Sequence, residues 1–235
     1  RLPALDADKV GAMGRLIEYA EGELRDPADG LFRGRQVRRE TGDWWTDPAA
    51  YAGRHALLVQ GLLAASGRLE IETVAGAGEL ATAARRLGLA AADALAARVV
   101  DGDGRVVHWV EGGDKGLVSA LLEDQILVGG ALWAAADLSG EARYRDLAMK
   151  ALGFAQQHLW DAAAGAFRSG PGPDVEGLAW DEEAGSLDGA LPAGNALAAL
   201  VYLATGDTER VGRLLAEARP AGPPGRAHAT WARAL

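Results

Sequence analysis

The sequence predicts an all-α fold built from repeated helical hairpins that stack into an (α/α) toroid or part of one. Long Ala- and Leu-rich segments carry apolar residues at helical spacing, short loops with Gly, Pro or Asp separate them, and two turn patterns alternate along the chain. Hydrophobic residues make up 49% of the 235 residues and charged residues 24%, as in globular proteins that bury a core. We expect residues 1–235 to form a single helical-repeat domain.

The spacing of apolar residues predicts eight helices. They lie near residues 6–25, 48–66, 70–99, 117–138, 141–159, 192–205, 207–218 and 225–234. Strand signals are few, and Val106 to Val110 is the best of them. We expect that segment to form one arm of a short loop hairpin.

The first turn pattern has the spacing D-x-x-x-G-x-F and follows the end of a helix. It occurs from Asp26 to Phe32 and from Asp161 to Phe167, with a shorter, degenerate version from Asp101 to Val106. Asp and Gly favour a tight reversal of the chain, and the apolar residue can then fold back over the core.

The second pattern is a helix that ends in a turn of small residues and restarts at once. It ends at Gly67, Gly140 and Gly206, which sets a hairpin repeat of 66 to 73 residues. Such repeats cannot bury their apolar faces alone, so they stack. The helices that end at these turns are very apolar, which favours a second shell of helices around them. A plain four-helix bundle is the alternative, and the long loops argue against it.

Composition excludes several classes of function. The net charge of −9 argues against nucleic acid, whose phosphates require a positive field. No apolar run approaches the ~18 residues that span a bilayer and no signal peptide opens the chain, so we expect no membrane partner and a cytoplasmic protein. Without cysteine there is no disulfide or thiolate site, and we expect neither metal nor cofactor. The four histidines lack metal-ligand spacing: His55, His108, His158 and His228.

The origin of the chain is also suggested by its residues. Arginine outnumbers lysine 21 to 3, and Ala and Gly are abundant, which we interpret as the coding bias of a GC-rich bacterium. The chain opens on Arg1 and not on Met, so we expect a processed product, a fragment or a shortened chain.

Three polar clusters lie at the starts of the three apolar helices expected to line the inside of the toroid. They are Trp44-Trp45-Thr46-Asp47-Pro48, Glu123-Asp124-Gln125, and the segment from Asp188 to Asn195. In a toroid the inner helices open onto one central funnel. We therefore expect the clusters to meet in one pocket, with the partial positive charge of the helix starts directed at it.

The candidate catalytic residues are the carboxylates Glu123, Asp124 and Asp188. Leu, Ile and Val flank Glu123 and Asp124, and a desolvated carboxyl has the raised pKa that a general acid needs. The alternative is that both are first-turn carboxylates stabilised by the helix dipole, by roughly 0.3–1 kcal/mol. In the same way, Asp47 or Thr46 would only cap a helix that has Pro48 at its first position.

The candidate substrate-binding residues combine indole faces with small and polar groups. Indole rings commonly line sugar sites, Gly194 would let a ligand or another chain approach the backbone, and the Asn195 amide would bond a loop or a ligand. The full set is Trp44, Trp45, Asp47, Gln125, Trp180, Gly194 and Asn195.

Four motifs in order resemble the helical region of the thioredoxin-domain-containing proteins of the spermatogenesis-associated type. They are Leu122-Glu123-Asp124, the D-G-A-x-P-x-G-N run from Asp188 to Asn195, Thr205-Gly206-Asp207, and the Asp26–Phe32 loop with Thr46-Asp47. The resemblance implies part of an (α/α)6 toroid, similar to those of six-hairpin glycosidases and N-acylglucosamine 2-epimerases. It also implies that the thioredoxin domain and about half of the toroid are absent.

The chain departs from that family at three places. The segment from Arg33 to Arg39 is basic where the family is acidic, Gln125 replaces a tyrosine, and Pro48-Ala49 replaces Trp-Asn.

Two functions follow. The first is a carbohydrate-active protein, hydrolase- or epimerase-like, that uses a carboxylate acid or base on a sugar or other small polar ligand. Hydrolysis would pair Glu123 or Asp124 with Asp188 or Asp47, about 5–5.5 Å apart for retention or 6.5–9.5 Å for inversion. Epimerisation usually uses a histidine base, and no histidine falls in a motif. The second is a non-catalytic module that assembles with a second copy of itself or with an N-terminal partner chain carrying the rest of the toroid.

Overall fold

The computed structural model describes residues 4–171, 193–218 and 229–234, and over these ranges it has eight α-helices and seven short strands. The helices are α1 Ala7–Tyr19, α2 Ala52–Glu70, α3 Ala77–Arg98, α4 Leu122–Ser139, α5 Ala142–His158, α6 Gly194–Thr205, α7 Thr208–Arg213 and α8 Ala229–Ala234. A π-type turn extends α1 over Ala20–Leu24, and another extends α7 over Leu214–Ala218. The all-α prediction is confirmed. None of these helices is both long and apolar enough to cross a membrane.

The strands are short and belong to the loops. They are β1 Gln36–Arg38, β2 Trp44–Thr46, β3 Ala50–Tyr51, β4 Trp109–Glu111, β5 Asp114–Lys115, β6 Trp160–Asp161 and β7 Ala166–Phe167. All their pairings are antiparallel, in the order β1-β2, β3-β4-β5 and β6-β7. The strand signal predicted at residues 106–110 is thus one arm of a loop hairpin, as expected.

The helices form two rows that alternate along the chain. The helices α2, α4, α6 and α8 pack side by side as an inner row. The outer helices α3, α5 and α7 each pack on the inner helix that precedes them, and α1 packs on α2 and α3. Long connections lead from an outer helix to the next inner helix, whereas short turns lead back. The inner helices α2, α4 and α6 therefore all start at the end of the molecule that carries the long loops.

Two of the three small-residue turns lie where they were predicted. Helix α4 ends at Gly140 (φ 75°) and α6 at Gly206 (φ 86°), both in the left-handed conformation that glycine adopts readily. The predicted turn at Gly67 is wrong, because α2 continues to Glu70 and buries Leu69 completely.

The predicted start of α2 at Pro48 is also wrong. Helix α2 begins at Ala52, because Ala50 and Tyr51 pair with β4 as a strand. Asp47 therefore does not cap a helix. Its Oδ1 instead accepts a hydrogen bond from the Ala49 N–H at 3.1 Å, within the loop.

Helix α4 is the centre of the core and depends on glycine for close approach. A Cβ at Gly129 would lie 2.8 Å from the Leu152 side chain of α5. On the neighbouring face, a Cβ at Gly130 would lie 3.0 Å from Val201 of α6 and 3.4 Å from Gln60 of α2. Side chains of both neighbouring inner helices, α2 and α6, thus contact α4 at Gly130, so the inner row is tightly packed at this point.

A buried polar side chain near the start of α2, α4 and α6 holds the loop that precedes each helix. These three residues, called here the loop clamps, lie 70 residues apart: His55, Gln125 and Asn195. Each accepts a hydrogen bond from the backbone N–H of the apolar residue that closes the first turn pattern. The bonded N–H groups are Phe32 to His55 at 2.9 Å, Val106 to Gln125 at 2.5 Å and Phe167 to Asn195 at 2.8 Å.

Each clamp also donates to backbone carbonyls. His55 Nε2 donates to the Ala91 carbonyl at 3.0 Å, and the Asn195 amide returns a bond to the Phe167 carbonyl at 3.0 Å. The Gln125 amide donates to the carbonyls of Gly104 at 3.1 Å and Ala151 at 2.8 Å. The clamps satisfy backbone groups that would otherwise be buried without a partner, and they fix the long loops over the starts of the inner helices.

Candidate functional site

A cavity of about 340 Å³ lies at the starts of α2 and α4, at the end of the molecule that carries the long loops. Helix α2 contributes its first turn, α4 contributes one carboxylate, and the loops before the two helices supply the rest of the wall. The lining residues are Arg35, Asp47, Tyr51, Gly53, Arg54, His108 and Asp124.

The central feature is a hydrogen-bonded pair of Asp124 and His108. Asp124 is only 2% exposed, and its Oδ1 accepts a hydrogen bond from the Gly53 N–H at 2.9 Å. Its Oδ2 lies 2.7 Å from His108 Nδ1. An ionised carboxylate only accepts, so Nδ1 carries the proton and Nε2 is left with a lone pair when the ring is neutral.

Each member of the pair changes the protonation of the other. Burial raises the pKa of Asp124, and the hydrogen bonds from His108 and the Gly53 N–H oppose that rise. The hydrogen bond to Asp124 raises the pKa of His108, against a smaller lowering by burial. Carboxylate and imidazole are also metal ligands, but no group of three His, Cys, Asp or Glu side chains that would suit a metal ion occurs in the described ranges.

The backbone around His108 is held in place on both sides. Its N–H donates to the Val118 carbonyl and its carbonyl accepts from the Ala52 N–H, both at 2.9 Å. The Tyr51 ring meets the imidazole edge-on, with centroids 5.5 Å apart. The imidazole therefore sits on a rigid support, while its side chain keeps 31% of its surface exposed.

Two arginines form the outer part of the wall. The Arg54 guanidinium lies over the Tyr51 ring, 5.0 Å from its centroid. Arg35 Nε lies 3.8 Å from Asp47 Oδ2, beyond hydrogen-bonding distance, and the Asp47 N–H donates to the Arg35 carbonyl at 2.9 Å. Asp47 thus ties the base of the β1–β2 hairpin to the cavity.

The structure brings Asp47 and Asp124 into one cavity, from two of the three predicted clusters. Glu123 is half-buried beside them, and it is not part of the wall. Burial raises the pKa of Glu123, and the neighbouring charge of Asp124 adds to that rise. Gly194 lies at the start of α6, where a Cβ would come 2.9 Å from the Leu122 side chain, so this glycine permits close packing of α6 on α4.

The remaining predicted residues lie elsewhere. Gln125 and Asn195 are loop clamps in the core, bonded to backbone groups and away from the cavity wall. Trp44 is 64% exposed on β2, and Trp45 lies under the Arg39 guanidinium at 6.0 Å. Neither tryptophan is part of the wall. Asp188 and Trp180 lie outside the described residues.

Sequence reasoning missed five residues of the wall: Arg35, Tyr51, Gly53, Arg54 and His108. The 70-residue spacing of the loop clamps becomes visible only through their hydrogen bonds. It aligns Arg54 with Asp124 and Gly194, directly before each clamp, and so places Arg54 at the same end of the fold. His108 lies in the segment recognised as the best strand signal, but its contact with α4 is a tertiary one.

No protein-family model matches the chain, and no curated protein sequence matches it. Solved structures do. A D-mannose isomerase aligns with a TM-score of 0.65 and 13% identity, over 90% of this chain and 52% of that one. An alpha-amylase from Clostridium perfringens aligns with a TM-score of 0.54 and 12% identity, over 88% and 52%. A cellobiose 2-epimerase from Bacillus thermoamylovorans B4167 aligns with a TM-score of 0.51 and 10% identity, over 70% and 39%.

Sequence identities of 10% to 13% show that the chain and these proteins are similar in fold. The chain spans about half the length of the structures it matches, or less. The two alternating rows of helices and these alignments together show that the chain has the helical-toroid fold of sugar isomerases, epimerases and amylase-like proteins.

Proposed function

We propose that this chain is a carbohydrate-active toroid protein in which His108, oriented by Asp124, transfers a proton to and from a sugar. One observation carries the proposal: a partly exposed imidazole is held by a buried carboxylate inside a cavity at the starts of α2 and α4. The cavity falls within the range of roughly 300–1,000 Å³ that is usual for small-molecule sites.

The chemistry that suits this pair is isomerisation or epimerisation of an open-chain sugar. His108 Nε2 would accept the proton from the carbon next to the carbonyl, and the C–H electrons would move toward the carbonyl oxygen to form an enediolate. In isomerisation the proton would return to the former carbonyl carbon, while the hydroxyl proton of the adjacent carbon passes to the former carbonyl oxygen and a new carbonyl forms there. In epimerisation the enediolate would turn its other face to His108, and the proton would return to that face of the same carbon as the carbonyl forms again. Asp124 would hold the ring in the required tautomer and stabilise the imidazolium that forms.

Hydrolysis is supported less well by the geometry. Asp124 uses one oxygen on the Gly53 N–H and the other on His108, so neither is free to attack a sugar carbon. Glu123 remains a proposed acid, since burial raises its pKa. Because Glu123 does not line the cavity, replacing it by Gln should leave proton transfer by His108 in place. Loss of activity with little change in thermal stability would instead favour hydrolysis, and a large loss of stability would show a structural role.

The test is exchange of the C2 hydrogen in D₂O, followed by NMR. Mannose, glucose, glucuronate and glucose 6-phosphate serve as substrates. We expect deuterium at C2 of at least one sugar, loss of exchange in H108Q and D124N, and normal exchange in H158Q, which alters an exposed histidine of α5. Exchange that persists in H108Q, or its absence with every sugar, would contradict the proposal.

The second candidate is a sugar-binding module without catalysis, assembled with a second copy or an N-terminal chain. The observation in its favour is that the chain spans about half the length of its structural neighbours. Sugar binding by calorimetry without C2 exchange would support this candidate. We also propose a relationship to the thioredoxin-domain-containing family, and this proposal rests on the four sequence motifs alone.

A further inference from the structure

The cavity contains two aspartates and two arginines, but the two kinds of charge are directed differently. Asp124 is almost fully buried and accepts hydrogen bonds on both oxygens. The Asp47 side chain is 13% exposed, and its Oδ1 is bonded to the Ala49 N–H. The Arg35 side chain, in contrast, is 63% exposed, and Arg54 is exposed as well. The charge that a ligand meets is therefore positive.

Arg54 is available to bind an anion. Within the described residues no carboxylate oxygen lies within 4.0 Å of its guanidinium nitrogens, and the guanidinium lies over the Tyr51 ring. A guanidinium presents its N–H donors in a planar fork that matches a carboxylate or a phosphate.

Arg35 is a second, weaker donor. Its pairing with Asp47 is loose at 3.8 Å and mostly exposed, so an incoming anion can replace it at little cost. A positive wall is unexpected in a chain of net charge −9, and a neutral ligand would not require it.

We infer that the cavity binds a sugar that carries an anionic group, a carboxylate or a phosphate, with Arg54 as the main donor to that group and Arg35 as the second. This inference rests on the proposed function, because it assigns the substrate class of the same site. The anionic group lies at the arginines, and the carbonyl end of the sugar then faces His108 on the other part of the wall.

Calorimetric titration tests the inference with four probes: glucose, glucuronate, glucose 6-phosphate and inorganic phosphate. Charge-assisted hydrogen bonds imply that at least one of the two acidic sugars binds roughly 10- to 100-fold more tightly than glucose. R54Q should remove most of this difference, by weakening the binding of the acidic sugars far more than that of glucose. R145Q removes an exposed arginine of α5 at the opposite end of the molecule, and it should bind like the wild type.

The outcomes separate the inference from the proposed function. Glucose that binds as tightly as both acidic sugars, or acidic sugars that bind R54Q normally, would overturn the anionic substrate and leave proton transfer by His108 standing. Inorganic phosphate that binds as tightly as glucose 6-phosphate would also overturn the inference, because the sugar would then contribute nothing. If no sugar binds, both the inference and the proposed function fail.

Discussion

At the scale of single residues, Asp124 and His108 show how burial and a hydrogen bond combine in one pair. Burial favours the neutral carboxyl, while the Gly53 N–H and the imidazole favour the carboxylate. The folded pair therefore holds a proton at His108 to a higher pH than an isolated imidazole would. The pair thus sets the pH range over which His108 exchanges its proton, and general acid–base catalysis depends on that range.

Replacing Asp124 by Asn should lower the pKa of His108, because the hydrogen bond to a carboxylate is lost while burial and the nearby Arg54 charge remain. NMR titration of the imidazole in wild type and D124N measures this. D137N, an exposed position near the other end of α4, is the control and should leave the His108 titration unchanged. An unaltered His108 pKa in D124N would show that the pair is not coupled.

The raised pKa of His108 determines whether the fold gains or loses stability as the pH rises. The stabilisation from His108 is complete below the ordinary histidine pKa and is lost as the pH rises through the raised, folded-state pKa. The excess stability of wild type over D124N, measured by urea unfolding, should therefore shrink as the pH rises across that window. A difference that grew with pH would contradict the assignment.

At the scale of elements, the loop clamps explain why three long loops stay ordered over the inner helices. Each clamp is a different residue type, yet each accepts from the same backbone position of the first turn pattern. The three clamps share a hydrogen-bonding role and not a residue type, so a comparison of residue identities would not find this repeat.

Replacing Gln125 by Met should destabilise the protein strongly. Met keeps the length of the side chain but leaves the Val106 N–H and the carbonyls of Gly104 and Ala151 without this partner. The Ala151 carbonyl keeps its helical hydrogen bond within α5, so two buried groups lose a partner. At about 1–3 kcal/mol for each, we expect a loss of at least about 2 kcal/mol in the free energy of unfolding. Q156M, on the exposed face of α5, should cost almost nothing in the same urea titration. A loss below about 1 kcal/mol in Q125M would refute the clamp role.

The clamp at His55 makes the fold sensitive to acid. Burial lowers the pKa of His55 to about 4. Protonation of Nδ1 would also break the hydrogen bond that it accepts from the Phe32 N–H. Its stabilisation is present above the ordinary histidine pKa and is lost as the pH falls through the lowered value, a change of roughly 3 kcal/mol.

H55Q isolates this effect, since Gln already serves as the clamp in α4. The stability difference between wild type and H55Q should fall as the pH is lowered from neutral toward 4. A constant difference would show that His55 is not the source of the acid sensitivity.

At the scale of the whole molecule, the association predicted from the apolar inner helices stays a prediction. The chain spans about half the length of the toroids it matches, which favours a partner that supplies more helices. In the described part of the chain, however, Leu203 is the one large hydrophobic residue exposed on α2, α4 or α6. Light scattering on the purified chain decides the point. A species of at least twice 24.4 kDa, or a complex with a second chain, is expected, and a compact monomer would exclude the open half-ring.

The sequence by itself determined the helices, most of their ends and the alternation of inner and outer rows. Apolar spacing, Gly140, Gly206 and the D-x-x-x-G-x-F loops act over a few residues, so their effect can be recognised locally. The failures at Pro48 and Gly67 have tertiary causes, the pairing of β3 with β4 and the burial of Leu69.

Only the tertiary structure decided the roles of Glu123, Asp124 and Gln125. Consecutive residues of a helix point about 100° apart, so three adjacent polar side chains must face three surroundings. Asp124 faces His108 and α2, Gln125 enters the core toward α5, and Glu123 lies beside the start of α6. No local pattern connects residue 108 or 54 with residue 124. Packing of the inner helices brought them together, and it placed the candidate site where α2, α4 and their loops meet.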